Sequence, residues 1–184
     1  MTPIKETKIV LFRGGFVGDL ITALHDMSCL IELNTNGRVH INEELLLLQD
    51  NTNMSIQEKD EYYKKHKIIS CCDPEFALKH HNNTLIIKCD NKLVLSFFCK
   101  RFKTYHPDYF ENTTLEEYTK NVIEWNHFWP KKFNKQLDIF DIFSNKNFLD
   151  KLDITIDAKK EALFQRWKLL NEKNFVTHKE TYGQ

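Results

Sequence analysis

Lys8-Ile-Val-Leu-Phe12, then Arg13-Gly-Gly-Phe-Val-Gly18, then Asp19-Leu-Ile-Thr-Ala-Leu24: an apolar β-branched run, a glycine loop and the start of a helical pattern stand in a row. Their order predicts strand, loop, helix. Leu20, Leu24, Met27 and Leu30/Ile31 recur at helical spacing. They carry the expected helix over Asp19 to Leu33, with Asp19 at its N-terminus and a stop near Asn34-Thr35-Asn36-Gly37.

The same alternation continues outward. Lys67 to Cys72 reads as a buried strand halted by Asp73-Pro74, and Thr84 to Cys89 as another. Between them, Pro74 at a first helical position opens a short helix through Phe76, Ala77 and Leu78. Ser55-Ile56-Gln57-Glu58 has the form of a capping box and starts a helix over Ile56 to His66. Gly37 to Asn53 offers a short strand at Arg38 to Ile41 and a leucine run at Leu45 to Leu48. A helix is expected from about Asn91 to Tyr105, and a second from Thr113 or Thr114 through Val122, Trp125 and Phe128 to a stop at Pro130. Leu137 to Phe143 suits an edge strand, and Asp157 caps a final helix carrying Leu163, Trp167 and Leu170. Apolar β-runs separated by helices imply right-handed crossovers. The expectation is one α/β domain over residues 1–184: a mostly parallel sheet with helices on both faces.

Composition narrows the function. The chain has 184 residues, and 26 Lys+Arg balance 26 Asp+Glu, so a general nucleic-acid binder is not expected. A hydrophobic share of 41% with 14 Phe is enough for a packed core, which excludes disorder. No apolar run has membrane-spanning length and the first residues lack a secretory pattern, so neither membrane insertion nor secretion is expected. Five cysteines, an odd number, do not form a disulfide framework. The expected setting is therefore cytoplasmic or virion-associated. The viral alternative comes from 22 lysines against 4 arginines and 16 asparagines, the signature of an A/T-rich coding sequence. A protein partner or homo-oligomer remains open.

The loop leaving the first strand of an open parallel sheet is the usual anion site. In Arg13-Gly14-Gly15-Phe16-Val17-Gly18, glycines let backbone N–H groups approach a phosphate, and Arg13 offers a bidentate fork. The Lys-Ser/Thr ending of a phosphate loop is replaced by Asp19-Leu20. Anion binding and a plain tight turn are both open on these residues.

The third strand and its helix, Thr84-Leu-Ile-Ile-Lys88-Cys-Asp-Asn-Lys92-Leu-Val-Leu-Ser96-Phe97-Phe98, resemble a segment of the sulfotransferase family. There, a strand-end arginine and a helical serine eight positions later grip the 3′-phosphate of phosphoadenosine phosphosulfate. Lys88 and Ser96 fall at that spacing, and Arg13, Gly14, Gly15 and Gly18 would hold the 5′-phosphosulfate. Asp138-Ile-Phe-Asp-Ile-Phe and the helix around Trp167 look like the family's terminal segment. The resemblance implies a three-layer P-loop-type sandwich, a nucleotide-like anion as ligand, and sulfuryl transfer with no metal. The family's basic histidine is replaced by Cys71-Cys72-Asp73-Pro74, which leaves His80, ahead of His81, as the base. A non-catalytic structural or assembly module on the same fold is the alternative. The Arg13 to Asp19 loop is also similar to that of heptosyltransferase-type glycosyltransferases, which need a second domain.

Other clusters carry less. Cys71, Cys72, His80, His81 and Cys89 lack the paired spacing of a zinc site and read as buried thiols and strand-end histidines. His25-Asp26 reads as a solvated pair. Lys100-Arg101-Phe102-Lys103 and Trp129-Pro130-Lys131-Lys132-Phe133 mix aromatics with charge suited to an acidic partner, but their plainer reading is an exposed helix end.

Overall fold

The computed structural model describes residues 7–13, 16–42, 54–145, 147–152 and 154–183. In chain order its elements are β1 (Ile9–Leu11), α1 (Gly18–His25), β2 (Leu30–Leu33), β3 (Val39–Ile41), α2 (Ile56–Lys65) and β4 (Ile69–Cys71). There follow α3 (Pro74–Lys79), β5 (Thr84–Lys88), α4 (Lys92–Tyr105), α5 (Leu115–Phe128), β6 (Lys135–Asp138) and α6 (Ala158–Tyr182). The leucine run Leu45 to Leu48 lies outside the described residues.

β4, β1, β5 and β6 lie side by side in that order, all parallel. Ile9 sits opposite Ile69 on one side and Thr84 on the other, so the three strands expected together are neighbours in one layer. Ile9, Val10 and Leu11 are each 0% exposed. Successive strand residues point to opposite faces, so both faces of the sheet are covered and the fold is α/β with helices on each side. The strand order agrees: the chain moves outward from β1 to β4, then returns across β1 to β5. Right-handed crossovers then place their helices on opposite faces.

Helix starts follow local chemistry. Ser55 with Glu58, and Thr114 with Glu117, each complete a reciprocal capping box. Asp73 accepts from the N–H groups of Glu75 and Phe76, with Pro74 just inside α3. Asn91 caps α4 and Asp157 caps α6 in the same manner. α6 then buries Leu163, Phe164 and Trp167, while Phe143 lies parallel to Trp167 at 5.9 Å and to Phe175 at 4.5 Å.

Two expected elements differ. The first helix stops at His25, not near Leu33. The Asp26 carboxylate accepts from both the N–H and the hydroxyl of Ser28, turning the chain through Met27–Cys29 before β2 pairs antiparallel with β3. A short acceptor followed by serine offers the backbone an alternative to continued helix. The expected turn at Asn34 to Gly37 is real, but it joins two strands and uses Gly37 at φ +83°. At the other end, the edge strand is Lys135–Asp138. Asp138 accepts from the Phe140 N–H and curls Ile139–Ile142 into a 3-10 turn, which shortens the expected strand.

Candidate anion-binding site

β1 ends at the carboxyl edge of the sheet, where the Phe12 N–H donates to the Cys71 carbonyl at 3.0 Å and Arg13 leaves the layer. A cavity of about 340 Å³ opens there. Arg13 and Asp19 reach it from the β1–α1 connection, Arg38 from the start of β3, Arg101 and Tyr105 from the last turns of α4, and Tyr118 from α5. Three of the chain's four arginines thus share one wall.

The Tyr105 ring organises two of them. The Arg38 guanidinium lies 5.4 Å from its centroid and that of Arg101 5.1 Å, while Arg101 also lies 5.5 Å from the Trp167 ring. Arg101 donates to Asn171 Oδ1 and to the Gly37 carbonyl. The Tyr105 hydroxyl donates to the Asn36 carbonyl at 3.0 Å, so the β2–β3 turn is tied to α4 and α6. Arg38 Nη2 stands 3.4 Å from His106 Nε2. Arg13 Nε is enclosed and has no hydrogen-bond partner among the described residues.

No carboxylate among the described residues lies within ion-pair distance of Arg13, Arg38 or Arg101. Burial lowers the Arg101 pKa; Tyr105 opposes this and Arg38 adds to it, yet a guanidinium keeps its charge at neutral pH. Among the described residues that line the cavity, Asp19 is the single acid, and its Oδ1 accepts from Ser70 Oγ at 3.2 Å. Taking cations from water without counter-charges is costly. An anion in this cavity removes that cost.

The glycine loop divides. Gly14 and Gly15 lie outside the described residues. Gly18 opens α1, and a Cβ there would fall 2.1 Å from Phe12 Cδ1, so this glycine is explained by a ring packed against the backbone. α1 begins after Val17 with no side-chain cap, which leaves its first N–H groups to other partners.

The remaining expected site residues are not gathered around Arg13. Lys88 ends β5 but pairs with Asp90 and lies 3.9 Å from Asp138; the Asp90 hydrogen bond leads in raising its pKa. Its charge is already compensated. Ser96 sits part-buried on α4 and does not line the cavity. His80 and His81 precede β5, so in a parallel sheet they stand at the amino edge, opposite the loop. The His80 ring stacks on Tyr63 at 3.9 Å and lies 3.7 Å from Asp60, and its carbonyl accepts from Thr84. Burial leads in lowering its pKa, against Asp60. His81 is exposed. The expected base therefore has no access to the Arg13 cavity; the imidazole on that wall is His106.

Arg38, Arg101, Tyr105 and His106 were not legible as a site. The signal available was the scarcity of arginine together with aromatics interleaved at Lys100-Arg101-Phe102-Lys103, which reads as an exposed helix end until α6 and the hairpin cover it. Burial pushes the Cys71 thiol up to about 12 and the Cys99 thiol up to about 11, so neither is a thiolate nucleophile at neutral pH. No helix among the described residues is long and apolar enough to cross a membrane.

Together these features define an α/β protein with an arginine-walled pocket at the carboxyl edge of a parallel sheet. Compared with protein-family models, curated proteins and solved structures, the chain matches none.

Proposed function

We propose that the chain is a nucleotide-type anion-binding domain, sulfotransferase-like in the placement of its loop, that holds the phosphate or sulfate groups of a small organic ligand. The carrying observation is that Arg13, Arg38 and Arg101 meet in one cavity without carboxylate partners. Planar guanidinium forks suit phosphate and sulfate oxygens. The aromatic walls Tyr105 and Tyr118 suit a base or other ring, and the volume of about 340 Å³ accepts one small ligand. Phosphoadenosine phosphosulfate and its product adenosine 3′,5′-bisphosphate are the ligands that the resemblance selects. If sulfuryl transfer takes place, its base is not His80 or His81.

A second reading, a non-catalytic structural or assembly module, is favoured by the compensated charge of Lys88 and the distance in the fold between the two expected histidines and the cavity. Calorimetric titration with adenosine 3′,5′-bisphosphate, with adenosine as control, separates the two. Saturable binding is expected for the bisphosphate alone. Charge-assisted contacts contribute roughly 1.5–3 kcal/mol each, so Arg13→Ala and Arg38→Ala should each weaken binding about tenfold or more. No binding at millimolar ligand sinks the nucleotide reading.

A further inference from the structure

Beyond the Arg13 cavity, α4 and the C-terminal half of α6 enclose a second one of about 480 Å³, and the two adjoin at Arg101 and Tyr105, which line both. Its chemistry differs. Among the described residues that line it there is no carboxylate, while Lys100 and Arg101 bring positive charge, so a cationic ligand is excluded. Arg101 already donates to Asn171 and to the Gly37 carbonyl, and the Asn171 amide donates in turn to the carbonyls of Gly37 and Trp167. The Lys100 ammonium is not engaged in this way. Its Nζ lies over the Tyr182 ring, 3.1 Å from the centroid, and no acid among the described residues pairs with it. The Asn36 and Asn174 side chains add amide edges to the wall.

His178 sets what a ligand must offer. It is 7% exposed, lines this cavity and hydrogen-bonds the Leu93 backbone, while its Nε2 has no partner among the described residues. Burial, then Lys100, lowers its pKa against the Leu93 bond, so the ring is neutral near pH 7 and its one proton sits on Nδ1, toward the Leu93 carbonyl. Nε2 is therefore an acceptor. A buried acceptor without a donor is unfavourable, and Lys100 on the same wall has no anionic partner, so the pair calls for a ligand group that donates to one and accepts from the other. A carboxylate has no proton to give. Tyr182, 56% exposed in the last turn of α6, stands 4.8 Å from the imidazole, so the ring flanking it can turn outward to admit a ligand.

We propose that this second cavity binds a planar neutral lactam, a ring that carries an N–H beside a carbonyl, as in hypoxanthine or uracil. The ring N–H donates to His178 Nε2, the carbonyl accepts from Lys100, and the flat face lies against the walls of Phe97 and Tyr182. A lone hydroxyl also donates and accepts, but a lactam ring adds a face for the aromatic walls and further edge atoms for the Asn36 and Asn174 amides. Adenine fails the same test. It has a bare acceptor nitrogen where hypoxanthine has the N–H.

The test is calorimetric titration of the full chain with inosine, against adenosine and against 1-methylinosine, in which a methyl group replaces the ring N–H. Saturable inosine binding is expected, roughly tenfold or more tighter than that of either comparison nucleoside. His178→Phe should lose inosine affinity and bring inosine and 1-methylinosine level, whereas Lys100→Met should weaken inosine severalfold and keep the preference between them. Histidine nitrogen NMR reads the same bond without a variant: inosine should shift the His178 Nε2 resonance, and 1-methylinosine should not. Equal affinity for inosine and its methyl derivative overturns the proposal, as does a preference that survives His178→Phe, unchanged inosine affinity in Lys100→Met, or an Nε2 resonance that stays in place at saturation. No binding at millimolar inosine also overturns it. Inosine carries no phosphate, so these outcomes do not depend on adenosine 3′,5′-bisphosphate binding, and either reading can fail alone.

Discussion

Gly18 shows how one residue can have two readings. As part of Arg13-Gly-Gly-Phe-Val-Gly18 it suggests backbone approach to an anion, yet the space its side chain would fill is held by the Phe12 ring. Gly18→Ala should therefore lower stability by about 1–3 kcal/mol through overpacking, read as a shift of the urea midpoint at constant slope. Asp19 has the opposite logic. It faces a cavity of arginines and does not cap α1, whose N-cap is Val17. Asp19→Asn should tighten adenosine 3′,5′-bisphosphate binding roughly threefold or more by removing a repulsive charge. Unchanged affinity would mean that the ligand does not come near this carboxylate.

At the scale of elements, the Lys59–Asp73 ion pair ties α2 to the start of α3. Lys59 Nζ donates to Asp73 Oδ2 at 2.5 Å while the other Asp73 oxygen caps α3. Burial pushes the Asp73 pKa up, but Lys59 and the N–H groups of Phe76 and Glu75 outweigh it and hold the carboxyl below its ordinary value. A depressed carboxyl pKa stabilises the fold above the unfolded value, and that contribution is lost as pH falls through the folded value. Stability should thus decline on acidification below about pH 4. Asp73→Asn keeps a good cap and removes the charge, so it should cost about 1 kcal/mol at pH 7. Urea midpoints of the two proteins should draw together as pH falls below the ordinary carboxyl value and converge once Asp73 is protonated in the folded protein. A gap independent of pH would contradict the ion-pair account. Element starts of this kind were readable because a cap and its partners lie within three residues of each other. The Asp26 to Leu33 stretch was not: Leu30 and Ile31 fit a helical stripe as well as a strand, and pairing with Val39 and Ile41 decides between them.

At the scale of the whole molecule, Asn171 joins segments far apart in the chain. It is 1% exposed, accepts from Arg101, and donates to the carbonyls of Gly37 at 3.3 Å and Trp167 at 2.7 Å. Asn171→Ala leaves Arg101 and the Gly37 turn without this partner, at a cost of about 1–3 kcal/mol. It should also weaken bisphosphate binding, because Arg38 follows that turn directly; thermal melts with and without ligand report both. A stability loss with unchanged affinity would separate the hairpin from the site. The sequence by itself determined the α/β class, the adjacency of Lys8 to Phe12 with the two later strands, and the helix caps, because strand hydrophobicity and capping are local and periodic properties. Only the tertiary structure decided the site. Arg13, Arg38 and Arg101 are spread over much of the chain, and their common wall depends on a hairpin turn, a helix end and α6 packing together, while His80 and Lys88, adjacent to strands in sequence, are carried to the amino edge and into a carboxylate pair.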